Sequence, residues 1–417
     1  MSFEPSPPNV YVWVWLPDAT EPVVAGILQS AGATTFFRYA ESFLSLENAV
    51  PLYLPELPLQ PGPTRPVAGL SIAGCIADAG PDAWGQRVIL RRLFGSEYPV
   101  SGEVAPHVLT FLLESGSDRI GALDFQRSPS AYEPRSVSAT LEEMMQAAQR
   151  LEAGEPFSPE LDAALLRGSS IGGARPKTLL DNDGHGLIAK FSSSTDPYPV
   201  VKAEAVAMEL ARRVGIDVAS TEVVDCLGRD VLLVERFDRT DVAGQRRTII
   251  SALTLLELDE MMARYATYPA LADVIRERFT KPKQTLRELF SRVVFNILVG
   301  NTDDHARNHA AFWDGRSLSL TPAYDICPQA RSGREAVQAM AVARDGFRFS
   351  QIVGCLDAAS TYLLSSSEAR AIIDHQLHVM RTQWTDAADA SRLTSAERSR
   401  LWGNQILNPF STEGYSS

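Results

Sequence analysis

The sequence predicts an α+β fold with two lobes, a small β-rich lobe followed by a larger all-helical lobe, and an N-terminal α/β subdomain before them. Two patterns support this prediction. Between about residues 165 and 240, short apolar runs alternate with glycine-rich turns, as in antiparallel strands. After about residue 250, apolar residues recur at three- and four-residue spacing, as in helices. The 417 residues exceed one compact core, and we predict units at residues 1–130, 150–245 and 246–417.

The composition is typical of a soluble globular protein, with 45% hydrophobic residues and a formal net charge of −12. An acidic chain is unlike autonomous nucleic-acid binders, which usually carry a basic surface. The four cysteines form no CxxC pair, which in a chain of this length favours free thiols in a reducing compartment. The N-terminus lacks the pattern of a signal peptide, and no apolar run reaches membrane-spanning length. We therefore expect a cytoplasmic protein without membrane contact.

The N-terminal region contains one clear strand and two helices. The alternating stretch Val10–Leu16 predicts the strand, and six prolines between residues 51 and 66 exclude regular structure there. A helix is predicted to begin near Pro81, with Asp82 at its positive end. Residues 136–153 predict the second helix, and the polar stretch 128–137 predicts a linker.

The β-rich lobe and the helical lobe are each marked by local sequence signals. The runs KTLL, LIAKF and RDVLLVERF are interpreted as strands or strand-like segments, and AEAVAMELARRVG as a helix that Gly215 ends. Two capping boxes, Ser365 with Glu368 and Thr394 with Glu397, mark helix starts near the C-terminus. One long helix carries an apolar stripe of Leu286, Leu289, Phe290, Val293, Ile297 and Leu298.

The densest group of polar residues is GNTDDHARN at residues 300–308, directly after that apolar helix. Asp303 and Asn308 have the spacing of the protein-kinase catalytic loop, in which the aspartate orients the substrate hydroxyl and the asparagine holds magnesium. A hairpin through Asp314-Gly315 would bring Asp325, a second magnesium ligand, back beside Asn308. Magnesium prefers such carboxylate and amide oxygens.

Two other interpretations of this stretch remain open. It could be an ordinary helix-exit loop, because aspartate, asparagine and glycine are common in loops. His305 and His309 could also suggest zinc, although no third ligand lies at a recognisable spacing. We favour His305 as a hydrogen-bonding support within the loop, and Cys327 as a small buried apolar residue.

Two further segments could bind phosphate. In SSIGGARPK, Gly172 and Gly173 permit close backbone approach to a phosphate, and Arg175 and Lys177 add positive charge. The pattern is not a Walker A sequence, and a glycine turn with solvated basic residues is the alternative. In that alternative, this segment would not bind phosphate.

The second segment is LIAKF, whose Lys190 lies in an apolar run. A lysine there must bind an anion or extend its amine to water. We expect an ion pair with Glu204 in preference to Glu209, with an unpaired edge-strand lysine as the alternative.

Taken together, these residues resemble the HipA-type serine/threonine kinases, the toxin components of bacterial toxin–antitoxin pairs. The resemblance spans most of the chain. SSIGGARPK looks like the family's glycine-rich loop, LIAKF like its ATP-lysine strand, and VERFDR like its adenine-contacting segment. GNTDDHARN with LTPAYD resembles the catalytic and metal motifs, and GCIADAGPDAWGQRVI resembles the N-terminal domain. The resemblance implies a protein-kinase-like two-lobed fold.

The resemblance also implies a role for each matching residue. Asp303 would be the catalytic aspartate, and Asn308 and Asp325 would hold Mg²⁺. Ser170 matches the serine that family members autophosphorylate, where about two added negative charges beside the nucleotide phosphates would be inhibitory. The implied ATP-binding set is Gly172, Gly173, Ala174, Arg175, Pro176, Lys177, Lys190, Glu235, Arg236, Phe237, His305, Ala306, Arg307, Asn308, Tyr324 and Asp325.

The implied function is a Mg-ATP-dependent serine/threonine protein kinase that arrests growth by phosphorylating a translation component such as an aminoacyl-tRNA synthetase. The implied partners are the protein substrate and a helix-turn-helix antitoxin of the HipB type, through which the chain would contact DNA. Two departures from the family pattern are Arg307, where lysine is common, and the additional charge of Asp304. Neither removes a required group.

Two alternative functions remain open. The first is a catalytically weak nucleotide-binding module that acts mainly as an antitoxin-bound transcriptional co-repressor. The second is a kinase for a small molecule or a lipid. The lack of a basic amphipathic helix weakens the lipid version.

Overall fold

The computed structural model describes residues 9–94, 106–135, 140–153, 177–182, 185–193 and 196–416. Its strands form three antiparallel sheets. One large hydrophobic core runs from the N-terminal sheet into the helices of the C-terminal half. Among the described helices, none combines the length and the apolar character that spanning a bilayer requires.

The N-terminal subdomain is built on a five-stranded sheet with the order β4-β3-β2-β1-β5. The predicted first strand is confirmed. The proline-rich stretch between residues 51 and 66 is irregular, as predicted, except for a two-residue strand at its end. The strands are β1 Val10–Val14, β2 Val23–Ala31, β3 Thr34–Tyr39, β4 Pro63–Thr64 and β5 Leu123–Gln126, and the helices are α1 Glu41–Leu44, α2 Gly74–Ala77, α3 Ala83–Phe94 and α4 Val108–Glu114.

The β-rich lobe is a four-stranded sheet with the order β6-β7-β9-β8, beside a single long helix. The sequence did not predict β8, because Glu222 and Asp225 interrupt its apolar alternation and both are exposed. The predicted helix is confirmed, and it is followed by Gly215 at φ +89°. The elements are β6 Lys177–Asn182, β7 His185–Phe191, α6 Val200–Arg213, β8 Thr221–Cys226 and β9 Arg229–Glu235.

One face of this sheet is covered by two helices from earlier in the chain. These are α3 and α5, which spans Leu141–Ala153 and confirms the second predicted N-terminal helix. Their apolar residues form a separate small core with the sheet, so the helices and the strands stabilise each other. The buried members of this core are Trp84, Val88, Met144, Met145, Ala147, Ala189, Phe191, Cys226 and Val231.

The C-terminal lobe is mainly helical, but the expectation that it is all-helical was wrong. It contains a three-stranded sheet with the order β10-β11-β12, of which only the hairpin through Asp314-Gly315 was predicted. The third strand, β10, is only four residues long and has no flanking alternation. The elements are β10 Thr248–Ser251, α7 Ala252–Leu255, α8 Tyr268–Arg278, α9 Pro282–Val299, β11 Ala310–Trp313, β12 Leu318–Leu320, α10 Ile352–Asp357, α11 Ser366–Ala390 and α12 Ser395–Leu401.

Helix α9 is the central helix of this lobe, and the six residues of its predicted apolar stripe are all fully buried. It ends at Gly300, whose φ of +77° lies in the left-handed region. A Cβ at this position would collide with the carbonyl oxygen of Gln405. Glycine therefore lets the chain turn directly from the buried helix into the polar loop. Both predicted capping boxes are present, and the four cysteines are buried free thiols, as predicted.

Candidate active site

The polar loop at residues 300–308 is held in place by a buried carboxylate, Asp304. Its Oδ2 accepts hydrogen bonds from the hydroxyl of Tyr268 at 2.5 Å and from the Nδ2 of Asn296 at 2.7 Å. The Nε2 of His309 lies 2.9 Å from the same oxygen. These three partners come from α8, α9 and the residue before β11. The loop is therefore fixed from three directions by a side chain that is only 2% exposed.

Asp303 lies beside this anchor and is exposed. Partial burial raises the pKa of its carboxyl, the nearby His305 lowers it, and the negative charges of Asp325 and Asp304 raise it further. A carboxylate with a raised pKa is a better proton acceptor than an ordinary aspartate. Asp303 is therefore suited to accept a proton from a hydroxyl group at the surface.

The predicted return of Asp325 to this loop is present in the structure. The hydroxyl of Tyr324 donates to the carbonyl of Arg307 at 2.7 Å, which joins the two segments. The Nδ2 of Asn308 donates to the carbonyl of Asp303 at 3.4 Å. Asp325 has a φ of +59°, a left-handed conformation that is uncommon for residues other than glycine and is often found at functional sites.

Lys190 on β7, in the β-rich lobe, contacts Asp325. Its Nζ lies 2.6 Å from the Oε1 of Glu204 on α6 and 2.5 Å from the Oδ1 of Asp325. Burial alone would lower the pKa of Lys190, but the two carboxylates raise it above its usual value. Lys190 in turn lowers the pKa of Asp325 to about 2. The predicted choice of Glu204 is confirmed, because Glu209 instead pairs with arginines on its own helix.

Lys177, the first residue of β6, faces the N-terminal subdomain. It is buried, and its Nζ lies 3.5 Å from the Oδ2 of Asp82 at the start of α3. Burial lowers the pKa of Lys177 to about 8, an effect that Asp82 opposes and Lys190 reinforces. Lys177 is opposite Lys190 in the register of β6 with β7, so both lysines belong to this end of the sheet.

The segment Glu235–Phe237 begins at the last residue of β9 and has three differently placed side chains. Glu235 is exposed, and Phe237 packs against Tyr324 with ring centroids 5.6 Å apart. The guanidinium of Arg236 is buried and turned toward the N-terminal subdomain, where it binds Asp118 at 2.8 Å. The side chain of Arg236 is therefore used in domain contact, and only the backbone of this residue remains to contact a base.

The two histidines in and directly after the polar loop, His305 and His309, have different environments. We expected His305 to support the loop by hydrogen bonding, but its Nδ1 is buried and has no hydrogen-bond partner among the described residues. His309 provides that support instead, through Asp304. Between them, Ala306 is buried, and the Nε of Arg307 pairs with Glu260 at 2.5 Å. This ion pair connects the loop to the segment at residues 257–262.

The predicted glycine-rich loop lies outside the described residues. This applies to Ser170, Gly172, Gly173, Ala174, Arg175 and Pro176. The described part of the site therefore consists of the Lys190 ion pairs, the loop at residues 300–308 and the Tyr324-Asp325 segment.

Sequence reasoning missed most of the residues that hold this site together. Tyr268 and Asn296, which bind Asp304, lie among apolar residues of two helices. An asparagine within a fully apolar helix face was a usable signal, because a buried amide needs a partner. Asp82 was predicted only as the residue at the positive end of its helix, and Asp118 gave no local signal. The partners of both, Lys177 and Arg236, are about a hundred residues away in the sequence.

The donor set of the site fits a magnesium ion better than a zinc ion. No group of three or more histidine, cysteine or acidic side chains in the described part of the chain is arranged to hold a metal. Asn308 and Asp325 supply one amide and one carboxylate oxygen. Mg²⁺ is commonly bound through one or two such groups, with water and substrate phosphates completing its coordination.

Two protein-family models match this chain. Residues 14–126 match the model of the HipA N-terminal domain, and residues 169–384 match the model of the HipA-like C-terminal domain. The second match covers more than half of the chain. This chain belongs to the HipA family.

Curated relatives with kinase names match parts of this chain. A putative kinase, Y4mE, from Sinorhizobium fredii is 29% identical over 146 residues, which is 33% of this chain and 33% of that protein. The serine/threonine-protein kinase toxin HipA from Shewanella oneidensis is 26% identical over 186 residues, 38% of this chain and 42% of that protein. The alignments thus span less than half of each relative.

A solved structure is similar over nearly the whole chain. It is the Shewanella oneidensis toxin–antitoxin complex of HipA, HipB and operator DNA, with a TM-score of 0.70 and 19% identity. The match covers 94% of this chain and 95% of that one. The shared fold confirms the predicted two-lobed, kinase-like architecture with an N-terminal subdomain.

Proposed function

We propose that this HipA-family protein is a Mg-ATP-dependent serine/threonine protein kinase that acts as a toxin. The observation that carries the proposal is the position of Lys190, which binds both Glu204 and Asp325 at the junction of the two lobes. In protein kinases, a lysine–glutamate pair of this kind and a metal-binding aspartate must both be in place for phosphoryl transfer. The relatives' names are consistent with this activity.

Each residue then has a defined role. Asp303 accepts the proton of the substrate hydroxyl, whose oxygen attacks the γ-phosphorus while the bond to the β,γ-bridging oxygen breaks and ADP leaves. Lys190 binds the phosphates of ATP. Asn308 and Asp325 would hold Mg²⁺, which would neutralise the charge of the phosphate oxygens. The family resemblance implies that residues 172–177, with the backbone of residues 235–237, would cover the nucleotide.

The surrounding biology is proposed on the same basis. The substrate is a protein, for example a translation component such as an aminoacyl-tRNA synthetase, and its phosphorylation arrests growth in the cytoplasm. A HipB-like helix-turn-helix antitoxin restrains the kinase and supplies most of the DNA contact, as the solved relative's complex with HipB and operator DNA suggests. The proposed units are residues 1–130, 150–245 and 246–417.

Peptide mass spectrometry after incubation with Mg-ATP tests this function. The wild-type chain, starting unphosphorylated, is expected to gain one phosphate on Ser170, and Asp303→Asn is expected to gain none. Asp241→Asn, which makes the same change at another exposed aspartate, serves as the control. A Ser170→Ala chain that still phosphorylates other proteins would separate catalysis from autophosphorylation.

The opposite result has a clear meaning. If the wild-type chain binds ATP but transfers no phosphate to itself or to another protein, the kinase proposal fails. The co-repressor module would then account for the family membership. Expression without an antitoxin tests the toxin role, because growth arrest should require Asp303.

A further inference from the structure

A group of exposed apolar side chains lies on the surface around the catalytic loop. Large apolar residues are individually common at protein surfaces, but contiguous patches usually mark an interaction site. We name this group the apolar platform. Its members and their exposed fractions are Met261 84%, Met262 43%, Tyr265 56%, Val337 56% and Phe349 44%.

The first half of the platform, residues 261–265, is joined to one side of the catalytic loop. Glu260, directly before it in the sequence, pairs with Arg307 at 2.5 Å. The segment then forms a short 3-10 helix over Ala263–Tyr265 and leads into α8. The exposed side chains Met261 and Tyr265 are thus held near the loop by an ion pair.

The second half, residues 336–350, is joined to the other side of the loop. This segment folds back on itself, and Val337 and Phe349 form an isolated antiparallel bridge. The backbone N–H of Ala339 donates to the carbonyl of Thr302 at 3.0 Å, and the Nε2 of Gln338 donates to the carbonyl of Asn301 at 3.1 Å. These bonds end one residue before Asp303.

The two halves are also joined to each other. The guanidinium of Arg348 donates to the carbonyl of Arg264 at 3.0 Å. Thr267 and Ala341 form a parallel bridge, with the N–H of Tyr268 donating to Ala341 at 3.1 Å. The two halves are therefore adjacent segments, and both are bonded to the loop that carries Asp303.

We propose that the apolar platform docks the protein substrate, by binding a segment with aliphatic or aromatic side chains near the acceptor serine or threonine. The proposal rests on the kinase function and specifies its substrate class. A small-molecule acceptor needs no apolar surface outside the cleft, whereas protein interfaces are enriched in methionine and aromatic residues. Direct bonding to the catalytic loop would set the distance between a docked segment and Asp303.

The test compares two double variants in phosphate transfer from ATP to the proteins of a dephosphorylated bacterial extract. Tyr265→Ser/Phe349→Ser changes the platform at exposed positions. Leu46→Ser/Val242→Ser removes two apolar side chains of similar exposure elsewhere. We expect the platform variant to lose about tenfold or more in transfer with unchanged affinity for MgATP, and the control variant to keep the wild-type rate.

Other outcomes have different consequences. Wild-type transfer by the platform variant overturns the docking proposal and leaves the kinase function intact. A change only in oligomeric state, or only in binding to anionic phospholipid vesicles, would assign the platform to a second copy of the chain or to a membrane and also overturn it. Absence of any Asp303-dependent transfer by the wild-type chain, to itself or to the extract, refutes the kinase function itself.

Discussion

The amine of Lys190 lies 2.5 Å from the carboxylate of Asp325, although the two residues are 135 positions apart in the sequence. Lys190 belongs to a strand of the β-rich lobe, and Asp325 follows the small sheet of the helical lobe. Their ion pair therefore spans the junction of the two lobes. It brings together a phosphate-binding amine and a metal-binding carboxylate in the one place where a nucleotide could use both.

Replacing Lys190 should lower both the kinase activity and the stability of the protein. Lys190→Met is expected to lower phosphate transfer about 100-fold or more. It leaves the buried Glu204 without its partner, so the unfolding free energy should fall by roughly 2 to 4 kcal/mol. Calorimetry and a transfer assay check both results, with Lys283→Met, an exposed lysine on α9, as the control.

The double variant Lys190→Met/Glu204→Gln separates these two effects. Removing the charge of Glu204 should restore most of the lost stability, because no uncompensated buried carboxylate remains. Activity should not return. Recovery of transfer in the double variant would show that Lys190 has no direct role with phosphate.

The ion pair also predicts a dependence of stability on acid. The folded pKa of Asp325 is lowered to about 2, mainly by Lys190, while an unfolded aspartate titrates near 3.9. The stabilisation is therefore fully present above pH 5 and is lost as the pH falls toward 2. Because the side chain is 41% exposed, we expect only about 1 kcal/mol.

Thermal unfolding of the wild-type chain and of Asp325→Asn between pH 6 and pH 2 measures this contribution. The difference in Tm between the wild-type chain and Asp325→Asn should be constant near pH 6 and should shrink as the pH falls toward 2. Asp241→Asn, at an exposed aspartate, is the control variant in the same assay. A difference that grows in acid would contradict the assigned direction of the pKa shift.

Asp304 is expected to act as a positioning residue for Asp303. Asp304→Asn places an amide that cannot accept all three hydrogen bonds, and should lower stability by about 2 to 4 kcal/mol. It also removes a negative charge that raises the pKa of Asp303. The acid limb of the kcat/KM profile should therefore move to lower pH, which a purely structural role would not produce.

Tyr268→Phe tests the same network with a smaller change. It removes one hydrogen bond to the Asp304 carboxylate and keeps the ring, so stability should fall by about 1.5 to 3 kcal/mol. Tyr11→Phe, at a half-buried tyrosine of β1, is the matched control in the same denaturation assay. Equal stability of the two variants would argue against the network.

The N-terminal subdomain should depend on Arg236 for its docking. The Arg236 guanidinium binds Asp118 and Asp238 at 2.8 Å each, and the N–H of Gly121 donates to Asp238 at 2.7 Å. Asp238→Asn should destabilise the chain by about 3 kcal/mol, because it leaves buried positive charge less compensated. Limited proteolysis within residues 128–137 should accelerate in this variant and not in Asp241→Asn. Equal cleavage rates would contradict this role.

The sequence predicted the parts of the molecule that are specified locally. The apolar stripe of α9, the two capping boxes and the hairpin at Gly315 each follow from spacing within a few residues. The pairing of Lys190 with Glu204 was also predictable, since an amine in an apolar strand requires an anion and the next helix offered only two carboxylates.

The missed features depend on contacts between distant segments. Strand β8 exists because it pairs with β9, although Glu222 and Asp225 weaken its own pattern. The hydrogen bonds of Asp304 join residues from α8, α9 and the position before β11. The local sequence of each segment does not indicate that it contacts the others. His305 and His309 both lie in polar sequence. Only the packed structure shows that His309 is the one that contacts Asp304.

The most direct test of the central claim is a calorimetric titration of ATP, with and without Mg²⁺, into the wild-type chain and into Asp325→Asn. If Lys190 and Asp325 act together on one MgATP, Mg²⁺ should strengthen wild-type binding about tenfold or more, equivalent to about 1.4 kcal/mol. Asp325→Asn should lose this gain while still binding ATP through Lys190. Equal affinity of the wild-type chain with and without Mg²⁺, or no binding at all, would contradict the account.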